Sequence, residues 1–247
     1  MSNDINLLTI KQASEQIGVS IDTLRRWDKN GKLKSIRLSR GKYEHRYYKK
    51  NAIKEYLANL DVFKIAKDWA KADEPPELQS FFSCPDGSVF NARLAKLEAE
   101  LMKIKDLDEK FSLISSITGE IGNNSFDHNL GNWPDVAGIF FGYNLNKRKI
   151  ALADRGQGIL KTLKRVRPDL SNHQEALRMA FTEIISGRSP ESRGNGLKYV
   201  RSLVAKHNFN LLFQTGNARL QLKKGDKDLD IKITKTNIQG CLALISF

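Results

Sequence analysis

The sequence has few cysteines, no long apolar run and fewer acidic than basic residues. Its two cysteines, Cys84 and Cys241, lack the spacing of metal ligands, which argues against a zinc site and against a disulfide framework. No apolar stretch approaches the roughly 18 residues of a membrane-spanning helix, and residues 1–5 lack the basic and apolar regions of a signal peptide. We therefore expect a cytoplasmic protein with reduced thiols and no membrane partner.

The excess of basic over acidic residues is greatest near the N-terminus. The chain of 247 residues holds 41 Lys and Arg against 28 Asp and Glu, a formal net charge of +13. Residues 1–60 contain 13 of the basic and 6 of the acidic residues, so a net charge of +7 lies in this region. Such an excess favours a polyanionic partner, although many basic surfaces are simply solvated. The length and the 40% content of hydrophobic residues are sufficient for one medium domain and one small domain.

The N-terminal region has the pattern of a compact helical module. Thr9 is a candidate N-cap for a first helix that ends at Gly18, and Ser20 is a candidate N-cap for a second helix. Apolar residues recur at three-residue intervals in the second helix and predict its buried face: Ile21, Leu24 and Trp27. Alternation over 32–48 predicts a two-stranded wing, and a third helix is predicted over 52–60.

This pattern resembles the winged helix-turn-helix of MerR regulators and phage excisionases over nearly all of residues 7–60. In that family the second helix enters the major groove and the wing contacts the DNA backbone. The resemblance implies double-stranded DNA as a partner and these groove-side residues: Thr23, Arg25, Arg26 and Lys29. It also implies phosphate contacts from the wing: Arg37, Arg40 and Arg46. Arg25 and Arg26 are the expected base readers, because a guanidinium group pairs with two acceptors of guanine. A solvated charge or an internal salt bridge is the alternative for any one of these arginines.

A break in helical structure is predicted after the N-terminal module. The segment Ala72-Asp-Glu-Pro-Pro-Glu contains two adjacent prolines, which disfavour the continuation of a helix. We therefore divide the chain into a DNA-binding domain at 1–60, a linker at 61–90 and a second domain at 91–247. The second domain is predicted to begin with helices over 91–104 and 111–126. Alternating apolar residues predict four strands near its end: 210–214, 219–223, 229–234 and 242–247.

Three short segments of the second domain together predict a nucleotide pocket. The first, Glu120-Ile-Gly-Asn-Asn124, places a carboxylate and an amide one helical turn apart, where both can reach a phosphate and its metal. The second, Asp154-Arg-Gly-Gln-Gly158, follows an apolar strand, and its glycines let a ligand approach the backbone. The third, Arg193-Gly-Asn-Gly-Leu197, opens a helix whose N-terminal N–H groups favour anions.

In order and spacing these segments resemble the N-box, G1 box and G2 box of the Bergerat-fold ATPases, which include DNA gyrase, Hsp90, MutL and the histidine kinases. The resemblance implies a two-layer α/β sandwich, so the expected fold is α+β, with a winged helix-turn-helix followed by a Bergerat-type domain. It implies ATP and Mg²⁺ as cofactors, with Asn124 on the metal, Glu120 as general base and Asp154 as acceptor for the adenine amino group. Further nucleotide contacts are expected from Asp127, Gly156, Gly158, Gly194, Asn195, Gly196 and Leu197.

Basic residues between the second and third segments are expected to form a lid over the phosphates. Gyrase and MutL supply a lysine to the γ-phosphate from a further domain, for which 247 residues leave no room, so we do not expect a strand-passing machine. Arg188 and Arg193 are the expected substitutes for that lysine, because they lie nearest to the glycines of the third segment.

The three segments do not assign a single branch of the family. Asp127 favours a hydrolysing branch, whereas the helix after Gly196 resembles those of histidine kinases and anti-sigma-factor serine kinases. His45, in the predicted wing, is the only histidine ahead of Glu120, which argues against autophosphorylation. We predict a DNA-binding regulator, dimeric like many helix-turn-helix proteins, that binds and slowly hydrolyses Mg-ATP as a conformational switch. The alternatives are a kinase acting on a separate protein partner and a nucleotide-binding adapter without turnover.

Overall fold

The computed structural model describes residues 6–40, 43–183 and 195–247, and these divide into two compact units. The units are the residues up to Asp61 with Gln79–Phe82, and Val62–Leu78 with Ser83–Phe247. The first unit contains β1 (Leu7–Thr9), α1 (Ile10–Ile17), α2 (Ile21–Lys29), β2 (Ile36–Arg40), β3 (Tyr43–Lys49) and α3 (Lys50–Asn59). The second contains α4 (Val62–Lys71), β4 (Ser83–Cys84), α5 (Gly87–Leu101), α6 (Lys110–Asn129), β5 (Ile139–Asn144), β6 (Lys149–Asp154), α7 (Gly158–Leu163), α8 (His173–Thr182), α9 (Gly196–Lys206), β7 (Asn210–Lys223) and β8 (Asp230–Ser246).

Local capping interactions fix the helix ends of the first unit. Thr9 Oγ1 accepts a hydrogen bond from the Gln12 N–H at 3.2 Å, and Gln12 Oε1 accepts one from the Thr9 N–H at 2.9 Å. This reciprocal capping box begins α1, which ends at Gly18 in the left-handed conformation. Ser20 Oγ accepts a hydrogen bond from the Thr23 N–H at 3.1 Å and begins α2. Both helix starts and the end of α1 are therefore where the capping residues predict them.

The strands of the first unit form an antiparallel sheet in the order β1-β3-β2. Strands β2 and β3 are the predicted wing, and β1 adds a strand that the sequence pattern did not indicate. Helix α3 spans 50–59 rather than the predicted 52–60. The helices and the sheet share a buried core that includes Leu8, Ala13, Ile17, Leu24, Trp27, Leu33, Tyr48 and Ile53.

The second unit is built on an antiparallel sheet in the order β4-β5-β6-β8-β7. Strands β7 and β8 form a long hairpin, so the four strands predicted near the end of the chain are in fact two. The pairing register shifts at Thr215 and Gly216, and these irregularities let β7 continue through residues that break the alternating pattern. The sequence pattern detected the regular parts of each strand and missed the bulged part between them.

Helices cover both faces of this sheet. On one face α5, α6, α8 and α9 enclose the main core, which includes Phe90, Leu97, Phe141, Phe181, Val204 and Phe213. Residues next to these in each strand point to the other face, where α4 packs against β5, β6 and β8. Helix α4 lies in the stretch predicted as a linker, and it forms because its buried residues share one face: Val62, Ala66, Trp69 and Ala70. The expected two layers are therefore joined by a further helix on the second face.

The boundaries of the helices that lead into the candidate site also differ from the prediction. Helix α5 begins at Gly87, where Asp86 caps it by accepting a hydrogen bond from the Val89 N–H at 2.8 Å. Helix α6 extends to Asn129, three residues beyond the predicted end at Phe126. The described residues as a whole form a mixed α/β fold. None of their helices is both long and apolar enough to cross a membrane.

Candidate functional site

The second unit contains a cleft of about 790 Å³, including the part that opens to solvent. Polar groups reach it from α6, from the turn after β6 and from the start of α9, among them Asn124, Asp154 and Gly196. The apolar part of the lining consists of Ile121, Ile159, Leu163, Ala180, Leu197 and Phe213. Three segments that are distant in the sequence therefore meet at one cleft.

Asp154 ends β6 with its side chain buried in the wall of the cleft. Its Oδ2 accepts a hydrogen bond from Ser125 Oγ at 2.7 Å, and its Oδ1 accepts one from the Gly156 N–H at 2.9 Å. Burial raises the pKa of the Asp154 carboxyl from 3.8 to about 6, and hydrogen bonds from Ser125, Gly156 and Cys241 oppose that rise. The carboxylate is therefore a well-oriented acceptor whose negative charge is costly to bury.

The start of α9 lies close to one face of α6. A Cβ atom at Gly196 would collide with Glu120 Oε2 and would lie 3.3 Å from Asn124 Nδ2. A larger residue at position 196 would therefore force the Glu120 carboxylate to move. The first N–H groups of a helix have no partners within the helix. A carboxylate, an amide and a helix N-terminus therefore converge at this part of the second unit.

Sequence reasoning missed two residues that shape the turn after β6. Asn129 Oδ1 accepts a hydrogen bond from the Gln157 N–H at 2.8 Å, and Asn129 Nδ2 donates one to Ser125 O at 2.7 Å. Gly240 in β8 has a φ of +73°, and a Cβ atom there would collide with the Asp154 carboxylate. The position of Asn129 one helical turn after Ser125 was a usable signal, since residues at that spacing share a helix face. Gly240 offered no comparable signal.

Arg155, next to Asp154, is fully buried and was also missed. Its Nη1 donates hydrogen bonds to Trp69 O and Ala72 O, each at 2.7 Å. Its Nε donates one to Asp135 Oδ2 at 2.7 Å, and its Nη2 donates to Asp73 O and to Gln239 Oε1, each at 3.2 Å. These partners lie far from Arg155 in the sequence. Hydrogen bonds from Arg155 thus connect the C-terminal end of α4 to the end of β6.

The structure brings only some of the predicted nucleotide contacts into the cleft. The predicted residues that line it are Asn124, Asp154, Gly158, Gly196 and Leu197. Asp127 and Asn195 are exposed, and Gly156 faces the Asn129 side chain, so none of the three is among the described lining residues. Arg188, Arg193 and Gly194 lie outside the described residues.

In the first unit, α2 presents a basic outer face. Arg25, Arg26 and Lys29 are exposed on the side of the helix opposite its buried residues. Arg25 Nη1 lies 2.8 Å from Asp22 Oδ1, and an exposed pair of this kind contributes little to stability. Thr23 is partly buried, and its hydroxyl accepts a hydrogen bond from Ser20 Oγ at 3.0 Å. Of the predicted groove-side residues, Arg25, Arg26 and Lys29 therefore share one exposed face, and Thr23 lies outside it.

Two wing arginines converge on Asp28 in the last turn of α2. Arg46 Nε donates a hydrogen bond to Asp28 Oδ2 at 2.9 Å, and Arg37 Nη2 lies 3.5 Å from the same oxygen. The side chain of Asp28 is only 11% exposed. The side chain of Arg40 lies outside what the structure describes. The internal salt bridge that the sequence left open as an alternative is thus formed by Arg46 and Arg37.

Comparison with known families concerns the first unit. The family model described as "MerR family regulatory protein" matches residues 9–48, which run from the N-cap of α1 into β3. No curated protein matches the chain. The matched residues include α2 with its basic face and the wing. These residues are similar to the MerR family, and this similarity supports a DNA-binding role for the first unit.

Proposed function

We propose that this protein is a DNA-binding regulator whose second unit binds Mg-ATP and thereby switches its state on DNA. The observation that carries the proposal is the meeting of Asn124, Asp154 and Gly196 at one cleft. The three segments that contain them follow the order of the N-box, G1 box and G2 box of Bergerat-fold ATPases. A sheet with helices packed over the side that bears the cleft is compatible with a domain of that type.

The apolar part of the cleft suits a planar base. Ile121, Leu163 and Phe213 contribute apolar walls, and Asp154 contributes a buried acceptor beside them. An acceptor in this position can pair with the exocyclic amino group of adenine, as the resemblance implies for Asp154. Apolar walls with a few placed polar groups are the usual composition of sites that hold and orient a small ligand.

The polar part of the cleft suits phosphates. Helix α9 is 11 residues long, and its N-terminus at Gly196 lies beside Asn124 and Glu120. The unpaired N–H groups and the dipole at a helix N-terminus favour a bound anion. In this proposal the N–H groups bind phosphate oxygens, and Asn124 ligates the cation that accompanies them.

The described residues fit a cation that arrives with the nucleotide. Within 6–40, 43–183 and 195–247, no group of three or more His, Cys, Asp or Glu side chains could hold a metal by itself. Mg²⁺ bound to ATP needs few protein ligands, because phosphate oxygens and waters complete its shell. The bound ion would neutralise charge on the phosphates. Glu120, one helical turn from Asn124, would orient a water molecule and accept its proton.

The first unit reads DNA in this proposal. Arg25 and Arg26 contact base edges in the major groove, while Thr23 and Lys29 lie beside them on the same helix. The wing contacts the DNA backbone through its arginines: Arg37, Arg40 and Arg46. Arg37 and Arg46 pair with Asp28 and would use their remaining N–H groups for phosphate oxygens. A homodimer would place two such units on two half-sites.

The switch is tested by measuring the DNA affinity of the full chain with and without Mg-ATP. The probe is the duplex that the full chain selects from a random-sequence library. We expect Mg-ATP to change the Kd at least about fivefold, the lower end of typical coupling between two sites. Asn124→Ala should remove the effect, and Asn237→Ala, an exposed amide on β8, should retain it. An unchanged Kd for the unaltered chain would contradict the switch.

Incubation with γ-labelled ATP and candidate protein partners identifies the fate of the nucleotide. We expect label in free phosphate, lost in Glu120→Ala, if the cleft hydrolyses ATP. Label on a protein would instead establish a kinase, which the resemblance of α9 to kinase helices favours. Label that stays in ATP, together with a Kd for DNA that changes with Mg-ATP, would establish a non-hydrolysing adapter.

A further inference from the structure

Helix α2 contains an acidic residue, Asp28, next to the basic residues that are proposed to face DNA. Asp28 is in the last turn of α2, one residue before the exposed Lys29. A carboxylate beside DNA phosphates opposes binding, because like charges repel. The side chain of Asp28 is only 11% exposed, so it is not simply a solvated surface charge. Its presence on α2 therefore needs a structural explanation.

The Asp28 carboxylate holds the wing at three points. Its Oδ1 accepts a hydrogen bond from the Ser35 N–H at 2.8 Å, just before β2 begins. Its Oδ2 accepts one from Arg46 Nε at 2.9 Å in β3 and lies 3.5 Å from Arg37 Nη2 in β2. One side chain of α2 thus contacts the entry to the wing and both of its strands.

Asp28 places a negative charge beside two arginines of the wing, and Glu44 Oε2 also lies 3.8 Å from Arg37 Nη1. Arg37 and Arg46 are directly opposite each other in the antiparallel pairing of β2 with β3. Like charges in directly opposed positions destabilise a strand pair. Burial raises the pKa of Asp28, but the Ser35 and Arg46 hydrogen bonds outweigh burial and lower it to about 2. Asp28 is therefore ionised at neutral pH and offsets the repulsion between the two guanidinium groups.

We propose that Asp28 is a positioning residue for DNA binding, which fixes the wing and the Arg46 guanidinium relative to α2; this inference rests on the DNA-binding function proposed above. Helix and wing must reach the major groove and the backbone of the same duplex at a set spacing. The contacts of Asp28 hold that spacing before DNA arrives, so less conformational entropy is lost on binding. Asp28 itself does not contact DNA.

Two physical accounts of this carboxylate predict opposite results. If Asp28 acts only through its charge, Asp28→Asn removes a repulsive group and tightens DNA binding. If Asp28 positions the wing, the same change weakens binding, because the charged hydrogen bond to Arg46 is lost and Arg37 repels Arg46. Asp22→Asn is the matched control, since Asp22 is also on α2 but is exposed and does not contact the wing strands in the described residues.

The experiment measures the Kd of the full chain for its library-selected duplex by fluorescence anisotropy at several salt concentrations. We expect Asp28→Asn to weaken binding on the order of tenfold, because the released Arg46 side chain and wing must then be ordered when DNA binds. The slope of log Kd against log salt should not change, because no phosphate contact is lost. Asp22→Asn should bind as tightly as the unaltered chain or more tightly.

A second variant keeps the proposal testable if Asp28→Asn unfolds the first unit. Arg46→Lys retains the charge but lacks the Nε donor that contacts Asp28, so we expect weaker binding with an unchanged salt slope. Circular dichroism reports whether each variant is folded. Folded Asp28→Asn that binds as tightly as the unaltered chain or tighter would overturn the proposal. So would Arg46→Lys with unchanged affinity, because charge alone would then be sufficient.

Discussion

Replacing the buried carboxylate at the end of β6 should stabilise the protein at neutral pH. Asp154 has its pKa raised from 3.8 to about 6, chiefly by burial. Each unit of pKa difference between the folded and unfolded states corresponds to about 1.4 kcal/mol, so ionised Asp154 costs the folded state about 3 kcal/mol above pH 6. Below pH 4 the carboxyl is protonated in both states and this cost is absent. The contribution of Asp154 to stability therefore falls as the pH rises from 4 to 6.

Asp154→Asn removes this pH dependence while keeping the shape of the side chain. The amide oxygen can still accept the hydrogen bond from the Gly156 N–H, and the amide group can donate to Ser125 Oγ. We expect the free energy of unfolding at pH 8 to rise by up to about 3 kcal/mol, with little change at pH 4. Urea unfolding followed by circular dichroism between pH 4 and 8 measures the difference between the two proteins.

The same variant should bind Mg-ATP more weakly, because an amide is a poorer acceptor for the adenine amino group than a carboxylate. A variant that is more stable but binds its ligand more weakly is expected where a buried charge destabilises the folded protein and also contacts the ligand. If the Asp154→Asn variant is no more stable at pH 8 than the unaltered chain, the assignment of a buried, costly charge is refuted.

Three further variants test other parts of the structure. Arg155→Met leaves buried carbonyl groups unpaired and should lower the free energy of unfolding by about 3 kcal/mol, as measured by urea unfolding. Gly196→Ala displaces the Glu120 carboxylate and should weaken Mg-ATP binding about tenfold in calorimetric titration, which corresponds to about 1.4 kcal/mol. Wild-type affinity would show that the position of this carboxylate does not affect nucleotide binding. Arg25→Ala combined with Arg26→Ala should abolish sequence-specific DNA binding while ATP affinity persists, and retained specificity would exclude both as base readers.

Local signals made much of the first unit predictable. The starts of α1 and α2 depend on hydroxyl caps within three residues of the N–H groups that they satisfy, so Thr9 and Ser20 are sufficient to place them. The wing follows from alternation on both sides of a short turn. The contacts of Asp28 were not predictable, because its partners come from both wing strands and meet only in the folded unit.

The second unit was less predictable because its contacts are distant in the sequence. Arg155 lies in a glycine-rich turn, which suggests an exposed side chain. The side chain is nevertheless buried, and it donates hydrogen bonds to carbonyl groups about 80 residues earlier in the sequence. Helix α4 was assigned to a linker because the prolines that follow it suggested a break, although its apolar residues have helical spacing. Spacing and residue type together predicted that Asn124, Asp154 and Gly196 meet, and all three line one cleft. That this cleft binds a nucleotide stays a prediction.

Calorimetric titration of the full chain with Mg-ATP tests the central claim most directly. Binding at one site per chain is expected, with loss of that binding in Asn124→Ala and unaltered binding in the control Asn237→Ala. Absence of binding at about 1 mM Mg-ATP, where even a weak site is half filled, would contradict the nucleotide cleft. Equal affinity of Asn124→Ala and the unaltered chain would contradict the assignment of the metal ligand.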